Sequence, residues 1–249
     1  MFRLYAHRGA AAELPENTLA AFRRALDVGA NAIETDCHLT RDGHVVLSHD
    51  ATGERMAKVP FAIADATLED VRAWDVGRGC GARDVHRMPT LEEAIADLYG
   101  IPLNVDIKSR MPGAAERVVA IVRRARACET TLLTSFDVRT VRRVRALGYE
   151  GPTGLAQAEA LALLVTPLRV LRRFPLRGVA AQLPHRQGRI DLGRRALVEK
   201  CHALGLELHF WTVNDPARAR ELRALGADGV MTDDPRTIAE ALRDGRHPT

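Results

Sequence analysis

The sequence predicts an α/β fold, a (β/α)8 TIM barrel with a small insertion after the second barrel strand. Three observations carry that prediction. Short apolar runs recur along the 249 residues with amphipathic, Ala-, Arg- and Leu-rich segments between them, the alternation expected of βα units around a parallel sheet. The runs number eight, and eight such units in about 250 residues match the usual barrel size. The unusual polar residues fall where the runs end, which in a barrel gathers them at one mouth. A doubly wound open sheet is the alternative that strand count alone leaves open.

The first strand is read at 2–7 and runs into His7-Arg8-Gly9. Pro15-Glu16-Asn17-Thr18 opens a helix at 17–28, with Asn17 or Thr18 able to cap its free backbone donors. Strand 32–38 follows, then a turn at Thr40-Arg41-Asp42-Gly43 and a second, hairpin-like strand at Val45-Val46-Leu47-Ser48. Residues 50–89 break the rhythm as an irregular insertion, ended by a helix at 90–98 with Thr90 as cap and Glu93 at its third position. The alternation then resumes, with strands at 102–108, 131–135, 153–156, 178–182, 206–213 and 229–232. Between them lie helices at 113–127, 137–147, 157–173, 192–204 and 216–225, and a last helix at 235–243 is capped by Asp233-Asp234-Pro235. Nothing resembles an interdomain linker or a repeat, so residues 1–249 are expected to form a single barrel domain.

Composition narrows the function. Hydrophobic residues make up 46%, enough for a sizeable core, and no apolar run approaches the roughly 20 residues of a membrane span. The net charge of +4 comes almost wholly from scattered arginines, and aromatic residues at 4% are too few for a base-stacking platform; no nucleic-acid partner is expected. Leu161 to Arg177 mixes apolar residues with four arginines, but Pro167 and Pro175 interrupt it, so no stable membrane association is expected either. Cys37, Cys80, Cys128 and Cys201 are dispersed without a CxxC pair, as for reduced thiols. With no leader pattern at Met1–Ala6, the expected location is cytoplasmic.

Chemistry collects at the strand ends. Side chains alternate along a strand, so Glu34 and Asp36 share a face, as do Asp106 and Lys108. Three carboxylates in one cavity repel unless a cation neutralises them, and an all-oxygen set suits Mg2+ or Ca2+. His7 and His49 can exchange protons near neutral pH, and Arg8 and Lys108 can hold an anion. Phosphoester cleavage uses such a set. Cations draw charge from the phosphoryl oxygens, one histidine removes a proton from the attacking hydroxyl, and the other protonates the leaving alkoxide.

At these residues the chain resembles the glycerophosphodiester phosphodiesterase family, which is related in fold and site layout to phosphatidylinositol-specific phospholipase C. The resemblance begins with His7-Arg8-Gly9, Pro15-Glu16-Asn17-Thr18 and Ile33-Glu34-Thr35-Asp36. It continues through Thr40–Gly43, His49-Asp50, Thr67-Leu68-Glu69-Asp70 and Pro89-Thr90-Leu91-Glu92-Glu93. Asn104-Val105-Asp106-Ile107-Lys108, Ser135-Phe136-Asp137, Trp211-Thr212-Val213-Asn214 and Thr232-Asp233-Asp234-Pro235 complete it nearly to the end of the chain. It implies hydrolysis of glycerophosphodiesters, small-molecule substrates, to glycerol 3-phosphate and an alcohol. It also implies His7 and His49 as the acid/base pair, Glu34, Asp36 and Asp106 as ligands of a divalent metal ion, and Arg8 and Lys108 as phosphate contacts. Glu16 and Asn17 would order the site, the insertion would shape a glycerol pocket, and Phe136 and Trp211 would stand near that pocket. Asp106 stands where the family usually has Glu, one methylene longer.

Two other readings stand beside this one. A lysophospholipase D-like hydrolase would run the same chemistry on a lipid that keeps one acyl chain; a noncatalytic phosphometabolite-binding barrel would explain Asp106 but not two retained histidines. His44, His86, His185, His202, His209 and His247 read as structural. His38 falls on the face of Glu34 and Asp36, where an accessory ligand or, preferably, a rim position is expected.

Overall fold

The computed structural model describes residues 1–244; His247 lies outside the described residues. Seven strands form one curled, mostly parallel sheet. In chain order these are β1 (Arg3–His7), β2 (Ala32–Leu39), β4 (Leu103–Ile107), β5 (Thr131–Thr134), β6 (Ala180–Pro184), β9 (Glu207–Trp211) and β10 (Gly229–Thr232). Across the sheet they run β5-β4-β2-β1-β10-β9-β6. A short strand β3 (Val45–Leu47) folds back antiparallel on β2, as the hairpin reading required, and β7 (Arg186–Gln187) and β8 (Ile190–Asp191) form a two-stranded hairpin just after β6.

The gap between the two outer strands is bridged by residues 152–155. Thr153 pairs parallel with Leu133 of β5, and Gly154 pairs parallel with Ala180 of β6. The Gly154 amide donates to the Leu133 carbonyl at 3.0 Å and the Leu155 amide to the Ala180 carbonyl at 2.9 Å. The expected strand 153–156 is thus reduced to a pair of bridges. Pro152 has no N–H to add to a ladder, and a Cβ on Gly154 would stand 2.7 Å from Thr134 Oγ1, so this stave is narrow by construction.

The helices follow the sequence reading closely. They are α1 (Leu19–Asp27), α2 (Glu54–Ala57), α3 (Leu68–Ala73), α4 (Leu91–Asp97), α5 (Ala114–Arg124), α6 (Val138–Ala146), α7 (Gln157–Val165), α8 (Leu168–Arg173), α9 (Arg195–His202), α10 (Pro216–Ala224) and α11 (Pro235–Asp244). Thr18, not Asn17, caps α1, its Oγ1 accepting from the Ala21 amide at 3.2 Å. Thr90 and Glu93 form a reciprocal capping box on α4. The helix expected over 157–173 is two, because Thr166 before Pro167 is forced extended (φ −92°, ψ 132°). Among the described residues no helix is long and apolar enough to cross a membrane.

Two apolar clusters lie between the sheet and its helices, one under α1, α4 and α5, centred on Phe22, Ile33 and Leu133. The other lies under α7 to α11, centred on Leu163, Leu208 and Phe210. The insertion has a small core of its own, with Val46, Ile63, Val71, Trp74 and Met88, and its α3 carries a Thr67–Asp70 capping box. It is irregular in backbone but packed, so it can hold side chains over the mouth.

Candidate active site

Parallel pairing sets the site. His7 on β1 is in register with Glu34 on β2, and Asp36 is in register with Asp106 on β4. Neighbours in register on parallel strands point the same way, so the carboxylates form two steps of one ladder. All three are buried: 5% of Glu34, 1% of Asp36 and 5% of Asp106 is exposed.

Just past β1 the chain turns sharply. Arg8 has φ 62° and Gly9 φ 88°, and a Cβ on Gly9 would lie 2.8 Å from the Ala21 backbone, so only glycine lets α1 come this close. The turn lays Arg8 across the site. Its Nε is 3.2 Å from Asp36 Oδ2, and its Nη1 donates to Glu16 Oε1 at 3.2 Å. Asn17, also at positive φ, accepts a hydrogen bond from Thr35 Oγ1 at 2.7 Å and ties this turn to β2.

Lys108, at the end of β4, places Nζ 2.9 Å from Asp36 Oδ1 and 2.6 Å from Asp106 Oδ2. Burial pushes its pKa down, but the two carboxylates outweigh that and hold it above the ordinary lysine value. The same ammonium lies 5.1 Å from the centre of the Phe136 ring, and Phe136 meets Trp211 edge-on at 6.2 Å. Cation, phenyl and indole therefore form one wall of the mouth.

The two histidines are each held by a carboxylate. His7 Nδ1 donates to Asp233 Oδ1 at 2.7 Å, leaving Nε2 to face Glu34 Oε2 at 3.8 Å. Burial pushes the His7 pKa down, and the Asp233 hydrogen bond with the Glu34 charge overcomes it, leaving a raised value. His49 Nδ1 donates to Asp50 Oδ1 at 2.8 Å. Arg55 of α2 bonds Asp50 at 2.5 Å and Glu16 at 2.6 Å, so an ion-pair chain runs from His49 through Asp50, Arg55 and Glu16 to Arg8. The structure thus links all nine residues singled out from the sequence: His7, Arg8, Glu34, Asp36, His49, Asp106, Lys108, Phe136 and Trp211.

Some residues that hold the site together were not foreseen. Asp233 reads in sequence as a helix cap, yet Asp234 does the capping, accepting from the Thr237 amide at 3.0 Å, while Asp233 orients His7 and is itself held by Asn214 at 2.8 Å. Its place at the end of a barrel strand was the available signal. Arg55 gave none. His38 is buried rather than at the rim, its Nε2 donating to the His49 carbonyl at 3.2 Å from beneath.

The donor set fits a hard cation in chemistry. Glu34 Oε2, Asp36 Oδ2 and Asp106 Oδ1 are each shut away from solvent without a hydrogen-bond partner, and burial pushes the carboxyls of Glu34 and Asp106 up, with Asp36 adding to both. A bound cation would reverse that upward push. The carboxylates are neighbours rather than a ready cage: among the described residues no three His, Cys, Asp or Glu side chains are gathered tightly enough to hold an ion.

The chain has relatives. Residues 7–237 match the family model described as the glycerophosphoryl diester phosphodiesterase family. A glycerophosphodiester phosphodiesterase of Caldanaerobacter subterraneus subsp. tengcongensis is 33% identical over 96% of this chain and 97% of its own. A human lysophospholipase D is 28% identical over 96% of this chain and 85% of its own. Among solved structures, a phosphodiesterase of Oleispira antarctica in complex with its product sn-glycerol-3-phosphate superposes with a TM-score of 0.78 at 26% identity, over 97% of this chain and 96% of that one. With the family model matched from the first histidine to the last helix, the chain belongs to the glycerophosphoryl diester phosphodiesterase family.

Proposed function

We infer that the protein is a metal-dependent phosphodiesterase that hydrolyses glycerophosphodiesters to glycerol 3-phosphate and an alcohol. One observation carries this reading: two carboxylate-held histidines flank three buried carboxylate oxygens that lack hydrogen-bond partners. With Nδ1 of each imidazole committed to Asp233 or Asp50, Nε2 is the nitrogen left for proton transfer. One histidine takes the proton of the attacking oxygen and the other gives a proton to the leaving alkoxide. Arg8 and Lys108 hold the phosphoryl oxygens and offset the charge that gathers on them. Glu34, Asp36 and Asp106 would hold Mg2+ or Ca2+, which when bound supplies Lewis-acid polarisation of the phosphoryl group.

Phe136 and Trp211 favour a second reading of the substrate. Phe136 is exposed at the mouth beside the indole, a wall suited to an acyl chain kept on the glycerol side of the phosphodiester and therefore to a lysophospholipase D-like reaction. A noncatalytic binding barrel is disfavoured, because binding alone needs neither imidazole. The four cysteines, dispersed along the chain without a CxxC pair, support a reducing compartment, the cytoplasm, and a single barrel domain suits the whole chain. The test is a panel of glycerophosphodiesters and lysophospholipids assayed with Mg2+, Ca2+ and chelator. Release of glycerol 3-phosphate supports the first reading, release of lysophosphatidate the second, and no turnover of any phosphodiester would overturn both.

A further inference from the structure

Between Ala160 and Ile190 the chain has six arginines, Arg169, Arg172, Arg173, Arg177, Arg186 and Arg189, and no acidic residue. That stretch alone carries more positive charge than the +4 of the whole chain, so the rest of the molecule is net acidic. All six arginines are exposed. Among the described residues none of them enters an ion pair, whereas Arg123, Arg143 and Arg236 elsewhere in the chain are matched by Glu150, Glu116 and Glu13.

The same stretch leaves six large apolar side chains in solvent: Leu161, Val165, Val170, Phe174, Val179 and Ile190. Isolated exposed apolar residues mean little, but a contiguous group marks an interaction surface. Leu161 (60% exposed) and Val165 (71%) are four apart on α7, and Val170 and Phe174 (71%) are four apart at α8, so each pair shares a helix face. Leu163 and Leu171 turn the other way into the barrel core. Pro167 divides the helix without hiding either outward face. The face is also fixed in place, because Lys200 Nζ donates to the carbonyls of Leu163 at 2.5 Å and Thr166 at 2.8 Å and pins the end of α7 to α9.

We propose that α7 and α8 form a docking surface for an anionic phospholipid bilayer. Unpaired guanidiniums attract the lipid phosphates, and the apolar side chains between them enter the headgroup boundary. A nucleic acid would satisfy the arginines but leave the aliphatic side chains in water, so the mixture favours lipid. The surface lies apart from the catalytic residues, and the proposal stands whatever alcohol the enzyme releases.

Co-sedimentation with vesicles tests it. The protein should pellet with vesicles of phosphatidylcholine mixed with phosphatidylglycerol, should not pellet with phosphatidylcholine alone, and should be released by high salt. Replacing Arg169, Arg172 and Arg173 together by Gln should weaken vesicle binding about tenfold or more, and Val165→Ser with Phe174→Ser should weaken it as well. Both variants should hydrolyse a soluble phosphodiester at the wild-type rate and melt at the wild-type temperature. Three results would overturn the proposal: no pelleting with anionic vesicles, undiminished binding by both variants, or a lipid-free dimer in sedimentation velocity that the same substitutions dissolve.

Discussion

His7 and His49 face the same mouth but are held by different parts of the molecule. His7 belongs to a barrel strand, its side chain is 18% exposed, and the group that orients it, Asp233, comes from the end of the neighbouring strand β10. His49 lies beyond the hairpin, its side chain is 36% exposed, and it is oriented by the adjacent Asp50, which is braced by Arg55 from the insertion. One imidazole takes its position from the register of a parallel sheet, where shifting a residue means shifting a strand. The other depends on partly exposed ion pairs that salt and water weaken. The acid/base geometry of the proposed mechanism is therefore half built into the barrel and half supplied by the insertion.

The largest effects should not distinguish the halves. His7→Ala and His49→Ala should each lower kcat by roughly a hundredfold or more, with the fold retained by circular dichroism; near-normal turnover by either would remove that residue from the mechanism. Asp106→Ala should be comparably severe, since it removes one of the three buried carboxylates and leaves Lys108 with Asp36 alone. Metal titration followed by melting temperature gives an independent readout: Mg2+ or Ca2+ should stabilise the wild type and stabilise Asp106→Ala much less. Asp106→Glu should keep activity. Equal metal-induced shifts in wild type and Asp106→Ala would show that Asp106 is not a ligand.

Asp233→Asn probes the barrel half alone. The raised pKa of His7 depends on a charged acceptor that overcomes burial, so a neutral amide should lower it, moving the His7-dependent limb of the kcat/KM profile to lower pH. Because the folded value is raised, His7 contributes stability that is fully present below its unfolded pKa of about 6.5 and is lost as pH rises through the folded value. The variant should lose that acid-side contribution. Turnover should fall about 10- to 100-fold, as when other orienting partners are removed. An unmoved limb would show that Asp233 does not set the protonation of His7. Arg55→Ala probes the other half. It removes two exposed ion pairs, so kcat should fall about fivefold or less, and the loss should shrink at high salt, where the wild-type pairs are already screened.

The same division explains what the sequence disclosed. Barrel strands announce themselves through apolar runs and polar ends, so His7 could be placed by its strand end and Glu34, Asp36, Asp106 and Lys108 by alternation, and register then brought Asp36 beside Asp106. The narrow stave at Thr153 and Gly154 was harder, because bridges between neighbouring strands leave almost no periodicity. Asp233 was hidden by a second plausible role, since an Asp before Pro is also a helix cap. Arg55 was hidden for a different reason: it sits in a segment of short turns with no repeating pattern, and only the packing of Trp74 and its neighbours brings it to Asp50. Sequence pattern reports what regular backbone repeats, and the insertion repeats nothing.

His44→Ala should have the smallest effect and sets the scale for the others. His44 follows the hairpin turn next to β3, close in sequence to His49, yet its side chain is 46% exposed and its nearest charged partner, Asp42, is 4.0 Å away. The backbone, not the imidazole, does the local structural work: the His44 amide donates to Thr40 Oγ1 at 2.9 Å, and its carbonyl accepts from the Thr40 amide at the same distance. Alanine keeps both bonds. Turnover should stay within about twofold of wild type and stability within about 0.5 kcal/mol, the usual range for surface substitutions. A loss of activity near that of His49→Ala would mean that the whole hairpin, rather than the Asp50–Arg55 brace, positions the second histidine, and the contrast between a barrel-held and an insertion-held imidazole would have to be redrawn around β3.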